Sequence, residues 1–210
     1  MDIKMKNYEK ELPNGYIAVK TVDAKSDKKT VGFLTLLSFI TAVPAFIIPM
    51  ALFALRAEKP VIKYSQMTIA YVSLLFGMIA YIILHEIVHG IAYKSRTGEK
   101  LTFGMTLTCA YCGVPNIYTY RKTSLIAVSA PLIVFSVLFV IAMVVTYFVA
   151  PIAYLVLAAI FTVHISGCAG DMYVIYLLTK KYKDDTVLMN DTGPKMTIYK
   201  RADGDEMTVS

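Results

Sequence analysis

Four long stretches of this chain, Val31–Leu55, Met67–Tyr93, Ser124–Val149 and Ile152–Thr179, are apolar and almost free of charge. Each runs for about 25 residues or more, and about 20 are enough to cross a ~30 Å hydrocarbon core. In water, four such helices within 210 residues would have no polar layer to cover them, so the stretches read as membrane spans. A hydrophobic content of 57% and a mean hydropathy of +0.58 follow from them.

The net charge of +6 is read through its distribution. Seven lysines precede the first span, five basic residues lie between the second and third, and six follow the fourth. Only Arg56, Lys59 and Lys63 lie between the first and second, and Ala150-Pro151 joins the third to the fourth. This bias puts both termini on the cytoplasmic side of the cell membrane. The basicity therefore suits topology and contact with the lipid bilayer, and no basic stripe interleaved with aromatics suggests nucleic acid. No separate signal peptide is expected, since the first 30 residues are polar and the first span can serve for targeting. With Cys109 and Cys112 facing a reducing cytoplasm, the odd count of three cysteines argues against a disulfide framework.

The expected fold is an all-α membrane protein. Residues 1–30 form a cytoplasmic arm, in which Tyr16–Val19 suggests one strand, and residues 31–179 form a four-helix transmembrane domain. Residues 180–210 form a cytoplasmic tail carrying a short hairpin around Asp191-Thr192-Gly193-Pro194. Pro44 and Pro49 should kink the first span, with neighbouring helices satisfying the carbonyls they free. Between the second and third spans, residues 100–120 predict a β-hairpin. Apolar and small or polar residues alternate from Leu101 to Tyr111, and Ile117–Tyr120 can return as the second strand. Such a hairpin either offers an edge to an extended peptide or acts as a lid packed on the bundle.

Glu86 and Asp171 are the only acidic residues within the four spans, and all three histidines, His85, His89 and His164, lie in the same two spans. A carboxylate at the centre of a span costs roughly 2.5–3.5 kcal/mol on insertion scales, so these groups need partners. His85-Glu86-Ile87-Val88-His89 places two imidazoles one turn apart on one helix face, with Glu86 about 100° round the axis. His85 precedes Lys94 by nine residues and Asp171 precedes Lys180 by nine, which sets both ~13 Å below the cytoplasmic boundary. His85, His89 and Asp171 are thus the expected ligands of Zn2+, with a position left for water, the catalytic rather than the closed structural type of site. Zinc would activate the water and polarise a carbonyl, and Glu86 would take the water's proton and hand it to a leaving amine. Gly167 and Gly170 are expected to let the fourth helix approach the second closely, with Gly90 helping from the other side. His164 can orient a ligand, bind a developing oxyanion or fill a polar niche. Cys109-Ala110-Tyr111-Cys112 reads as a strand with two small residues, or less well as a second zinc site.

With these residues in place, the chain resembles the intramembrane metalloproteases of the site-2 protease class. More closely, it is similar to the small bacterial four-span proteins grouped as putative zincin peptidases. The resemblance rests on His85-Glu86-x-x-His89-Gly90, the Tyr111-Cys112 region, Ala130-Pro131 and Ser166-Gly167-Cys168-Ala169-Gly170-Asp171, and covers roughly residues 70–180. It implies zinc held by His85, His89 and Asp171, Glu86 as general acid and base, and a membrane protein or peptide as substrate. The larger relatives carry Asn-x-x-Pro before the aspartate and Gly after it. Here His164 and Met172 occupy that neighbourhood, which leaves oxyanion stabilisation unassigned, and no PDZ domain filters substrates. Two other function classes compete. A non-catalytic metal-binding sensor or partner-binding module has no use for Glu86. A transporter using Glu86 and Asp171 would be expected to show paired broken helices or a repeat.

Overall fold

The computed structural model describes residues 6–57, 60, 61, 63–106 and 110–202. In chain order the elements are β1 (Tyr8–Glu9), β2 (Tyr16–Asp23), α1 (Lys28–Ala54), α2 (Tyr64–Thr97), β3 (Thr102–Met105), β4 (Ala110–Gly113) and β5 (Tyr118–Tyr120). There follow α3 (Arg121–Val149), α4 (Pro151–Gly167), α5 (Ala169–Tyr176), β6 (Leu188–Asp191) and β7 (Lys195–Arg201); α5 runs on as a π-helical stretch, Leu177–Lys181. Two compact units share these elements. One comprises residues 1–32, 86–130 and 171–210, the other residues 33–85 and 131–170.

The second unit is helical. Helices α1, α2 and α3 are each long and apolar enough to cross a membrane, and α4 with α5 is a bent pair of similar character. Only 6% of the most apolar window of each long helix is buried. Phe39, Phe76 and Phe148 are each about two-thirds exposed or more, a degree of apolar exposure that marks an interaction surface rather than a water-facing one. Within the unit Met143, Tyr154 and Ala158 form a buried cluster with Met50, Phe53 and Phe161 against it. Pro49 has no N–H for the carbonyl of Ala45, and Thr162 Oγ1, which donates to Ala158 O at 2.9 Å, shares its proton with that carbonyl at 3.3 Å. The fourth run is not one helix. It bends by 42° where α4 meets α5. Cys168 N–H closes α4 on the carbonyls of His164 and Ser166 there, between Gly167 and Gly170, the poorest helix formers of the run.

The first unit holds more β-structure than an all-α chain would have. Five antiparallel strands run in the order β1-β5-β6-β7-β2, so the N-terminal arm, the loop before α3 and the tail share one sheet. The tail hairpin lies where the sequence suggests, with Asp191 opposite Met196 and Gly193 at φ +97° in the turn. Leu188, Met189 and Ile198 are fully buried on this sheet, each contributing about 1.5–3 kcal/mol. The expected hairpin over residues 100–120 is built differently. β3 pairs with β4, Thr102 opposite Gly113 and Met105 opposite Ala110, so the chain turns back inside the segment read as one strand. Ile117–Tyr120 does not return on β3; its β5 portion joins β1 and β6. Cys109 lies outside the described residues.

Candidate metal centre

A polar stripe runs down one face of α2. Tyr81, His85, His89 and Tyr93 recur every four residues in an otherwise apolar helix, and all four are buried. Glu86, off this line, is half-buried. His89 and Asp171 meet within the first unit, His89 Nε2 lying 3.5 Å from Asp171 Oδ2. Two ligand atoms that each sit ~2.0–2.1 Å from a tetrahedral ion are separated by about 3.3 Å, so this spacing suits a shared cation. His85 stands one turn before His89 on the continuous helix.

The ring of His89 is fixed by a proline it does not touch in sequence. In α3, Pro131 has no N–H to offer the carbonyl of Ala127, its partner one turn back. His89 Nδ1–H donates to that carbonyl at 2.9 Å. With Nδ1 committed, the lone pair resides on Nε2, the nitrogen facing Asp171. A ring N–H held by a backbone carbonyl is the usual support of a metal-binding histidine. Tyr93 extends the support: its hydroxyl donates to Asp191 Oδ2 at 2.7 Å, and Gly193 N–H donates to Oδ1 at 2.8 Å. Burial of Asp191 pushes its carboxyl up to about 6, against the lowering effect of the Tyr93 hydroxyl. On β4, burial raises the Cys112 thiol to about 12, so at neutral pH it is a thiol rather than a thiolate.

The glycines act differently from the expectation. A Cβ on Gly90 would come within 2.8 Å of Phe103 and 3.0 Å of Leu101, so Gly90 seats the β3–β4 hairpin on α2 directly after His89, not the fourth helix. Among the described residues nothing lies within 4 Å of a Cβ built on Gly167 or Gly170. Close approach between α2 and α4 uses Gly77, whose Cβ would meet Ile160 at 2.8 Å. Cys168 and Ala169 are the buried small residues at the bend. His164 is fully buried; His85, His164 and Cys168 form a second group with ligand atoms within 4.8 Å of each other. Tyr81 and Tyr93 belong to no motif, and Pro131 and Asp191, though within named sequence segments, carry no expected part in the centre. The four-residue spacing on α2 is the one sequence signal that marks the two tyrosines.

Two imidazoles and a carboxylate beside a half-buried glutamate are the donor set of a hydrolytic zinc protein. A family model described as "Putative zincin peptidase" matches residues 78–186, so the chain belongs to that family, and the kinship points to a zinc metallopeptidase. No curated protein and no solved structure matches it.

Proposed function

We propose that this protein is a membrane-embedded zinc metalloprotease of the site-2 type. It hydrolyses peptide bonds of a membrane protein or peptide substrate, in or near the bilayer on its cytoplasmic side. The observation that carries the reading is the 3.5 Å approach of His89 to Asp171 in the first unit, with Glu86 three residues and His85 one turn before His89 on the same helix. The distribution of basic residues supports cytoplasmic termini, and the exposed apolar faces of α1, α2 and α3 support a lipid setting.

His85, His89 and Asp171 would hold the ion. Bound zinc supplies Lewis acidity that activates water and polarises a carbonyl. Asp171 brings one negative charge to balance a dication, while Pro131 and Ala127 keep His89 in its ligating form. Glu86 takes a proton from the attacking water as oxygen bonds to the carbonyl carbon. It returns that proton to the amide nitrogen as the C–N bond breaks. Gly90 lets the β3–β4 hairpin lie close to this part of α2, where the edge of β3, paired among the described residues with β4 alone, can align an extended peptide by strand pairing.

Glu86→Gln keeps the shape and removes the base. The expected result is zinc content equal to wild type with cleavage of a transmembrane model peptide reduced at least ~100-fold. Full cleavage by this variant refutes the catalytic role, and no cleavage by either protein across a panel of model substrates favours the non-catalytic module.

A further inference from the structure

Tyr81, His85, His164 and Ser136 form one chain of hydrogen bonds inside the second unit. Tyr81 Oη lies 3.0 Å from His85 Nδ1 and 2.9 Å from His164 Nδ1, and Ser136 Oγ lies 3.0 Å from His164 Nε2. A phenol carries one proton, so Tyr81 donates to one ring and accepts from the other. With neutral rings only two arrangements satisfy every member. In the first, His85 Nδ1–H donates to Tyr81, Tyr81 donates to His164 Nδ1, His164 Nε2–H donates to Ser136, and His85 Nε2 keeps its lone pair. In the second every bond is reversed and His85 Nε2 carries a proton, which bars it from binding a cation.

The surroundings hold this chain in place. His164 is fully buried, with the rings of Phe135, Phe139 and Phe161 centred 6.1, 5.7 and 6.1 Å away. Tyr81 packs edge-on against Phe135 at 5.3 Å. Cys168 Sγ, a weak donor, lies 3.6 Å from His164 Nδ1, the nitrogen that accepts in the first arrangement.

We propose that Tyr81 and His164 are positioning residues that hold His85 in its Nδ1–H form, so that Nε2 is presented to the metal. The proposal rests on His85 being a ligand. It assigns His164 a role through Tyr81 and excludes it, with Cys168, from the coordination shell.

The test uses the full chain purified in detergent and zinc affinity measured by competition with a chromophoric chelator. Tyr81→Phe and His164→Phe are expected to keep one zinc per chain but to bind it 10–100-fold more weakly, the usual effect of losing an outer-shell partner. The two changes together should be no worse than either alone. His164→Asn, which places an amide oxygen near the position of Nδ1, should stay within about threefold of wild type. A packing role predicts the opposite order, with the aromatic Phe tolerated better than Asn, and that order overturns the proposal. Loss of zinc stoichiometry in His164→Phe or Cys168→Ser also overturns it, since those residues would then be ligands. Tyr81→Phe removes one oxygen and keeps the ring, so it decides the question if the His164 variants fail to fold; unchanged affinity there is again a refutation. Zinc retained at wild-type affinity by His85→Ala is a separate result, which removes His85 from the ligand set on which the proposed function rests.

Discussion

Pro131→Ala should make the protein more stable and its metal weaker, two effects of opposite sign from one substitution. The alanine restores an N–H at position 131, and the carbonyl of Ala127 lies one turn back on the same helix. A proline in a helix interior costs about 3 kcal/mol relative to alanine. Against that gain stands the bond from His89 Nδ1, 2.9 Å long and buried, which now shares its acceptor. A typical net hydrogen bond is worth about 0.5–1.5 kcal/mol, so the metal-free fold should gain roughly 1.5–2.5 kcal/mol, or several degrees in melting temperature. Zinc affinity should fall about tenfold, the lower end of the range for outer-shell changes, because a carbonyl has a second lone pair and the His89 bond is weakened rather than abolished. Thermal melting with chelator present reads the first effect and chelator competition the second. Affinity equal to wild type in a folded, stabilised variant would refute the idea that the proline exists to free an acceptor for His89.

Other perturbations separate support from chemistry. Asp191 is held above its ordinary value of 3.8, at about 6, so its stabilising contribution is full below 3.8 and lost as pH rises through 6. Asp191→Asn keeps an acceptor for Gly193 and offers a donor to Tyr93. It should therefore melt above wild type at pH 7.5, by up to about 3 kcal/mol, with the difference vanishing near pH 4; a pH-independent difference would contradict this. Gly113→Ala drives a Cβ to within 2.5 Å of the Gly193 nitrogen and 2.9 Å of the Asp191 oxygen, all backbone. It should destabilise by about 1–3 kcal/mol in chemical denaturation. Gly167→Ala, exposed and with space around it, should be neutral or stabilising by up to about 1 kcal/mol; a large loss there would restore the helix-contact role expected of that glycine.

Long-period features were legible in the sequence and short ones were not. Val31–Leu55 and Ser124–Val149 lie inside or within a residue of α1 and α3, because a run that long and apolar admits little else. The tail strands announced themselves through the Gly193 turn. The rest of the sheet was hidden by brevity: β1 has two residues and β5 three, too few for an alternation, and their pairing joins Tyr8 to Thr119 across most of the first half of the chain. At the candidate centre, the proposed ligands can be named from residue types and spacing. The groups around them cannot, since Ala127 is recruited through a missing N–H at Pro131, and Asp191 comes from a tail read only as a hairpin. The glycines misled because a small residue marks a close approach without saying to what.

The strand order of the large sheet has a consequence for biosynthesis. β7 lies between β2 and β6, and it leaves the ribosome long after the four apolar helices have been made. Until then β2 has no partner, and the turn that aims Asp191 at Tyr93 is not closed. A nascent chain would thus carry its long apolar helices before the bonds of Tyr93 and Gly193 to Asp191 can form, and the large sheet closes only when β7 arrives.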